Sequence, residues 1–293
     1  MNKRSKTAQF FLNLYLSVSL LLFIVPFLVI IATSLSGESA VMRYGYAPFI
    51  RDFTTDAYKY VFANPDSIIS AYGVTALYAF VGTLFDNVIM AICGYAISRD
   101  KFTWKQIIII PLIITMIFHG GLAPTYLIYT KVFGLKDNIL VYFVAGMVSA
   151  YTIFIYRAFF KQVPISLSES AELDGASEMQ IFAKIMLPLS LPTFATYSFM
   201  GLMSRWNSFE TTLYYISDKR FYTLQYLLQL ILQEANFIKQ SMQMNPSSVQ
   251  AAEIPLETVK FAMCVVAAGP MIAIFPFFQR YFSKGVMVGA VKG

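Results

Sequence analysis

The sequence has little charge and few residues that bind metals or form disulfides. Only 13% of its 293 residues are charged, and it contains one histidine and two widely separated cysteines, Cys93 and Cys264. One histidine cannot supply a His-Glu-x-x-His zinc site, and the sequence contains neither a Gly-x-x-x-x-Gly-Lys phosphate loop nor a nucleophile elbow. The sequence therefore predicts no metal site and no catalytic residues. We interpret both cysteines as small buried hydrophobic side chains.

Hydrophobic residues, in contrast, are abundant. They make up 57% of the chain, and the mean hydropathy is +0.61. About 20 apolar residues are needed for a helix to cross a bilayer, and a helix satisfies its own backbone hydrogen bonds there. Six segments predict an all-α, polytopic membrane helix bundle with six transmembrane helices: Phe10–Thr33, Ile69–Ile97, Ile107–Tyr129, Ile139–Phe160, Leu187–Ser204 and Leu256–Phe278.

Basic residues predict the orientation of this bundle, because they resist translocation. The N-terminus, the loop 99–105, the connection 157–187 and the tail each hold three of the 22 Lys and Arg residues. The other basic residues are spread over longer segments, so we expect both termini to be cytoplasmic. The first apolar segment is too long for a secretory signal, and we interpret it as an uncleaved anchor. The net charge is +6, but the basic residues lie at the predicted membrane edges, where they face anionic lipid headgroups. We therefore expect no nucleic-acid partner.

The connection between the fourth and fifth segments is too polar to span a membrane. Pro164 can end the preceding helix, Ser166 or Ser168 can cap a new one, and Gly175 favours a bend between two short helices. The second short helix has an apolar face formed by Met179, Phe182, Ile185 and Met186. Taken alone, this pattern fits a hairpin that joins two spans as well as one that docks against another protein.

The spacing within this connection carries a more specific signal. The pattern Glu169-Ser-Ala-x-x-x-Gly175, nine residues, then Ile185-x-Leu187-Pro188 resembles the EAA loop of permease subunits in bacterial, binding-protein-dependent ABC importers of type I. In that family the loop is a coupling helix that sits in a cleft of a cytoplasmic ATPase. The resemblance implies coupling roles for Glu169, Ser170, Ala171, Asp174, Gly175, Ile185, Leu187 and Pro188. Ser170 departs from the usual alanine, but both side chains are small.

Further segments resemble oligosaccharide permeases, including those for aldouronates and alginate fragments. They are Gly94–Arg99, Gly120–Leu127, Trp206-Asn207 and the tail Phe278–Gly293. The resemblance implies one half of a translocation pathway in the bacterial cytoplasmic (inner) membrane. Its implied partners are a second homologous permease, an ATPase dimer that carries ATP and Mg²⁺, and a periplasmic or extracellular binding protein. No cofactor and no ATPase site are expected in this chain.

We divide the chain accordingly into three parts. Residues 1–68 are an anchor helix with the first extracytoplasmic loop, residues 69–280 are the transmembrane domain with the coupling loop at 164–188, and residues 281–293 are a cytoplasmic tail that is small and flexible from Lys284. The segment 209–255 is predicted to be extracytoplasmic and includes an amphipathic stretch, Leu224–Phe237. By resemblance it meets the binding protein, and the alternative is a passive cap.

Five polar or aromatic residues are candidates for the substrate pathway: Asp86, Asn87, Arg205, Trp206 and Asn207. An ionisable Asp86 inside a span either lines the pathway or makes an inter-helix hydrogen bond. The Arg205–Asn207 group could hold a carboxylated sugar or act as an interfacial anchor. We expect a packing or hydrogen-bonding role for His119.

An ion-gradient-driven secondary transporter is the main alternative function. Such carriers are built from inverted repeats and use carboxylates within the membrane for coupling. The sequence shows no convincing repeat, and Asp86 is the one acidic residue well inside a predicted span. An intramembrane enzyme is disfavoured because no catalytic constellation is present.

Overall fold

The computed structural model describes residues 6–244 and 255–290, which are mostly helical. An isolated bridge joins Ser36 and Phe53, and no β-strand occurs in these two ranges, so the predicted all-α class is confirmed. The helices are α1 (Lys6–Ser34), α2 (Glu38–Tyr44), α3 (Asp56–Val61), α4 (Pro65–Leu77), α5 (Thr83–Ser98), α6 (Lys105–Ile117), α7 (Leu122–Leu127), α8 (Val141–Val144), α9 (Ala150–Phe160), α10 (Ile165–Leu173), α11 (Glu178–Ile181), α12 (Leu187–Leu189), α13 (Leu191–Trp206), α14 (Glu210–Tyr215), α15 (Leu224–Met244) and α16 (Leu256–Ala290).

Three of the predicted spans are continuous helices. Gln9–Ser34, Pro65–Ser98 and Leu256–Tyr281 are each long and apolar enough to cross a membrane. In the second of these, a π-helical turn at Tyr78–Gly82 joins α4 to α5 without ending the helix. These helices match the first, second and sixth apolar segments of the sequence.

The other three predicted spans are interrupted, so the expectation of one continuous helix for each was wrong. Residues 118–121 separate α6 from α7, and residues 145–149 separate α8 from α9. Gly121 and Gly146 have φ values of 86° and 74°, a conformation that is unfavourable for residues with a side chain. At the start of the fifth, the helical segment Glu178–Leu189, which ends in α12, meets α13 at a bend of 81°. By length and composition, three helices of the described chain can cross a membrane, or four if the bent pair is one span.

The chain divides into two compact units. The first contains the residues up to Ile68 together with Leu227–Pro270. Within it, the Glu38 carboxylate accepts hydrogen bonds from the backbone N–H groups of Glu257 and Thr258, at 2.9 and 3.0 Å, and from the Thr258 hydroxyl at 3.0 Å. These bonds satisfy free amides at the start of α16, and a carboxylate at this position complements the helix dipole.

The second unit contains Ile69–Tyr226 and the chain from Met271 onward. Its centre is α5, which packs along α9 and α13. Gly94 permits the closest approach, because a Cβ atom at this position would lie 2.6 Å from Tyr156 Cβ and 2.9 Å from the Ile153 carbonyl oxygen. Any larger residue at Gly94 would force α5 and α9 apart.

Other expectations from the sequence have mixed outcomes. Leu224–Phe237 is helical, as part of α15, whereas residues 245–254 of the predicted extracytoplasmic segment lie outside the described residues. The tail was expected to be flexible from Lys284, but α16 continues to Ala290, and Val291–Gly293 are not described. Both cysteines are free. Cys93 is half-buried and Cys264 is exposed, so the expected burial was wrong for Cys264.

Candidate functional site

The predicted loop at 164–188 forms a helical hairpin of α10 and α11. Gly175 lies between the two helices with φ of 79°, and the Ala176 N–H donates to the Ala171 carbonyl at 2.9 Å to close the turn. No Cβ clash would arise at Gly175, so the left-handed backbone is what requires glycine there. The predicted bend at Gly175 is thus present.

The helix starts differ from the sequence prediction. Pro164 itself occupies the N-cap position of α10, so neither Ser166 nor Ser168 caps this helix. The N-cap that does form is on α11. The Ser177 hydroxyl accepts from the Gln180 N–H, and the Gln180 side chain accepts from the Ser177 N–H at 2.8 Å. This capping box was readable in the sequence as Ser-x-x-Gln and was missed.

The second half of the loop is anchored in the core of the bundle. Ile181, Phe182 and Met186 are buried in one apolar cluster with Tyr95 and Phe160. The predicted apolar face is confirmed for Phe182 and Met186. It is wrong for Met179, which is exposed, and it omitted Ile181, which is fully buried. The coupling-loop candidates Ala171, Ile185 and Leu187 pack against the edge of this cluster.

A cluster of charged residues attaches the loop to the end of α5. Arg99 pairs with Glu172 and, at 3.2 Å, with Glu178, while Lys101 also pairs with Glu172. The Tyr95 hydroxyl donates to Glu178. The Lys101 ammonium, through its hydrogen bond, and the nearby Arg99 hold the pKa of the Glu172 carboxyl below its usual value. We call these five residues the loop clasp.

Sequence reasoning did not find the loop clasp. Arg99 was used only in the count of basic residues and as the end of a family-like segment, and Glu172 and Glu178 were not singled out. A signal was available, because the loop at 164–188 contains acidic residues and the loop 99–105 contains basic ones. Both loops were predicted to lie on the same side of the membrane. Beside the clasp, a cavity of about 350 Å³ is lined by residues that include Ile92, Phe102 and Met179.

The outer face of the hairpin is exposed and partly apolar. Leu173 is 89% exposed, and Ile165, Leu167 and Met179 are also exposed. Glu169, Ser170, Asp174 and Pro188 are also exposed. Apolar side chains presented together on a protein surface mark an interaction site more often than isolated ones do. The hairpin therefore combines a firmly packed inner face with an outer face that another protein can contact.

A second group of candidates lies in the middle of the bundle. Asp86 of α5 and Arg205 of α13 form a buried ion pair and are only 5% and 8% exposed. The Arg205 guanidinium also donates to the Tyr142 carbonyl at 2.9 Å and lies 4.9 Å from the centroid of the Tyr78 ring. The structure thus joins two residues that the sequence analysis had treated as separate candidates. Arg205 is buried between helices and does not project from the edge of α13.

Asn87 links three helices next to this pair. Its side chain accepts a hydrogen bond from the Tyr156 hydroxyl at 2.7 Å and donates to the Ser198 hydroxyl at 3.1 Å. Trp206 is buried, with its ring centroid 6.2 Å from that of Tyr72. These contacts give Asn87 and Trp206 packing partners inside the second unit.

The remaining polar candidates have local roles. Asn207 is exposed at the end of α13, where its amide donates to the Met203 carbonyl at 2.9 Å and its oxygen accepts from Gln225 at 3.3 Å. The exposed His119 accepts a hydrogen bond from the Gly121 N–H at 3.2 Å. Among residues 6–244 and 255–290, no three metal-ligating side chains lie close enough to hold an ion.

Comparison with known proteins assigns the chain to a family. The family model described as "Binding-protein-dependent transport system inner membrane component" matches residues 2–288. The chain belongs to this family. As a permease of this kind, it has the helical fold that the sequence resemblance implied.

Several relatives resemble this permease over most of their length. Protein LplC of Bacillus subtilis is 34% identical over 270 residues, which cover 92% of this chain and 90% of the relative. The "polygalacturonan/rhamnogalacturonan transport system permease protein YtcP" of Bacillus subtilis is 32% identical over 280 residues, covering 95% and 96%.

A solved structure has the same fold as this permease. It is the crystal structure of a bacterial ABC transporter involved in the import of the acidic polysaccharide alginate. The TM-score is 0.76 over 96% of this chain and 100% of the other, with 24% sequence identity. This likeness shows the fold of an ABC importer permease for nearly the whole chain.

Proposed function

We propose that this permease forms half of the translocation pathway of an ATP-driven importer and that the loop at 164–188 couples the pathway to an ATPase. The observation that carries the proposal is the two-faced hairpin. Its inner face is fixed to the bundle by the loop clasp and by Ile181 and Phe182, so a force applied to its exposed outer face reaches α5 and α9. Glu169, Ser170, Asp174 and Gly175 lie where a docked ATPase would contact the chain.

The remaining coupling residues transmit this movement in the proposed mechanism. Ala171 and Ile185 pack against the buried cluster, and Leu187-Pro188 lie in α12, which meets α13 at a sharp bend. ATP and Mg²⁺ would be bound by two partner ATPase subunits. Their closure would move the hairpin, and the movement would pass to α13 through α12.

The proposed assembly has further members and a defined place in the cell. A second permease of the same fold would complete the pathway, and a periplasmic or extracellular binding protein would deliver the substrate. We propose that the permease has six spans with cytoplasmic termini in the bacterial inner membrane. In this arrangement the interrupted helices α6–α7 and α8–α9 and the bent pair α12–α13 supply the third, fourth and fifth spans.

We propose that the substrate is an oligosaccharide that contains uronate. One relative is named for polygalacturonan and rhamnogalacturonan transport, and the solved structure is of an importer of alginate, an acidic polysaccharide. Asp86, Asn87, Arg205, Trp206 and Asn207 remain the candidate pathway residues. Because Asp86 already neutralises Arg205, a sugar carboxylate could bind this arginine only by competing with Asp86.

Uptake by the complete transporter in proteoliposomes tests this function. We expect accumulation of oligogalacturonates to require both ATP and the binding protein, and to exceed accumulation of neutral maltodextrins of the same length. Ionophores that dissipate proton and sodium gradients should leave uptake unchanged. Uptake that persists without ATPase subunits and collapses with an ion gradient would instead establish a secondary transporter. Equal uptake of both sugars would refute only the proposed preference for acidic substrate.

A further inference from the structure

The last residues of α2 and the segment that follows it expose aromatic and basic side chains together. Six apolar or aromatic residues within twelve positions are exposed, namely Met42, Tyr44, Tyr46, Phe49, Ile50 and Phe53. The same segment contains Arg43 and Arg51. We call residues 42–53 the aromatic–arginine loop. Nothing in the coupling mechanism uses it.

The base of this loop is fixed at the end of α1. The Gly37 N–H donates to the Arg51 carbonyl at 3.0 Å, and the Thr54 N–H donates to the Leu35 carbonyl at 3.1 Å. The Ser36 hydroxyl accepts from the Arg51 N–H at 3.0 Å. Since α1 ends at Ser34, the chain leaves the helix and returns to the same place after the loop.

The length of α1 places its end in the headgroup layer of a bilayer. The apolar segment Gln9–Ser34 has 26 residues, and no residue in its most apolar stretch is buried against the rest of the protein. At about 1.5 Å per residue it is roughly 39 Å long, compared with about 30 Å for the hydrocarbon core. A helix of this length extends to the edge of the hydrocarbon, so residues 35–54, which follow it, are within reach of the lipid headgroups.

The two arginines of this loop stack on the same tyrosine ring. Arg43 and Arg51 lie against the same Tyr44 ring, 5.3 and 5.2 Å from its centroid, and Arg51 is also 4.8 Å from the Phe49 centroid. Within the described residues neither guanidinium pairs with a carboxylate, although Arg51 donates one hydrogen bond to the Tyr44 carbonyl at 3.1 Å. Guanidinium groups held on aromatic rings can bind phosphate through two hydrogen bonds.

We propose that the aromatic–arginine loop binds the headgroups of anionic phospholipids and anchors the first unit at the membrane surface. Aromatic rings beside basic residues are typical of the membrane–water interface. Aromatic and arginine residues are also enriched at protein interfaces, so a soluble binding protein is the competing occupant. The loop base at the end of a lipid-exposed helix favours lipid, because it keeps the loop within reach of the headgroups.

Depth-dependent quenching of tryptophan fluorescence tests the location of the loop. The assembled transporter would be placed in nanodiscs with lipids brominated at different depths, and the signal of the parent protein subtracted. We expect Phe49→Trp to be quenched most by bromine close to the headgroup, and Phe23→Trp, in the middle of α1, by bromine deep in the chain. The proposal would be overturned if a water-soluble quencher reduced the fluorescence of Phe49→Trp while bromolipids did not reduce it at any depth. So would a loss of bromolipid quenching when binding protein is added.

Retention of phosphatidylglycerol tests the role of the arginines independently. In nanodiscs of phosphatidylglycerol and phosphatidylcholine, the Arg43→Gln/Arg51→Gln variant should retain about fivefold less phosphatidylglycerol on purification. The control variant Lys59→Gln/Arg220→Gln removes two exposed basic residues that are already paired with Asp56 and Asp218. It should retain as much as the parent. Equal retention by all three proteins would contradict a headgroup site.

Discussion

Replacing Gly175 by valine is expected to reduce substrate uptake roughly tenfold or more, while the assembled transporter continues to hydrolyse ATP. Gly175 has φ of 79°, which a β-branched residue adopts only at a cost of about 1–3 kcal/mol. The hairpin would relieve this strain by changing the angle between α10 and α11. Because about 1.4 kcal/mol corresponds to a factor of ten in rate, even part of this cost is measurable. Uptake and ATP hydrolysis would be measured in the same proteoliposomes.

Gly134 supplies a matched control for this substitution. Its φ is 64°, and no atom would contact an added Cβ, so Gly134→Val carries a similar backbone strain outside the coupling loop. We expect Gly134→Val to keep the parent ratio of uptake to hydrolysis.

Glu169→Lys should uncouple ATP hydrolysis from uptake, as Gly175→Val does, whereas charge reversal at another exposed acidic residue, Glu210→Lys, should not. Normal coupling in both loop variants would refute the role assigned to the hairpin.

Breaking the buried Asp86–Arg205 pair is expected to have the largest effect on stability. Asp86→Asn or Arg205→Gln would leave the other charge buried without its partner, which costs about 3–5 kcal/mol. The double variant leaves no charge and should recover most of this loss. Thermal unfolding would be measured for the purified parent transporter, the two single variants and the double variant. This double-mutant cycle would give the coupling energy between the two residues.

An exposed pair shows how much of this effect is due to burial. Asp218 and Arg220 form an ion pair in which Arg220 is 81% exposed, and such pairs contribute little to stability because water and salt screen them. Asp218→Asn should therefore change the unfolding temperature little. If Asp86→Asn were equally mild, the buried pair would not be a major element of the bundle.

The double variant also tests the proposed substrate pathway. Once Asp86→Asn/Arg205→Gln is shown to be folded, its uptake of oligogalacturonates can be compared with its uptake of neutral oligosaccharides. A selective loss of acidic substrate would support contact between Arg205 and a sugar carboxylate. An equal loss for both sugars would indicate that the pair acts through packing.

The elements predicted from the sequence are those that depend on local signals. The long apolar runs of α1 and α16 and the bend at Gly175 follow from residue type and spacing alone. The interruptions at 118–121 and 145–149 were missed because the surrounding residues are as apolar as a span. Gly121 and Gly146 were the local evidence, but glycine is also common inside membrane helices.

Residues paired across the bundle could not be predicted in the same way. Asp86 and Arg205 are 119 positions apart, and Arg99 and Glu172 are 73 apart, so nothing in the local pattern connects them. An ionisable residue inside a span does indicate that a partner or water is required, but it does not say which residue supplies it. The coupling loop, by contrast, could be proposed from the sequence because the parts of its motif lie within one continuous segment.

Crosslinking from the exposed tip of the hairpin tests the coupling of this permease to its ATPase most directly. Leu173→Cys would be introduced into a transporter from which the free cysteines, Cys93 and Cys264, have been removed by substitution with alanine. The exposed Phe237 in α15, which we place on the opposite side of the membrane, provides the control Phe237→Cys. We predict a crosslink from Leu173→Cys to the ATPase subunit and none from Phe237→Cys. The reverse pattern would contradict both the assigned coupling surface and the orientation of the chain.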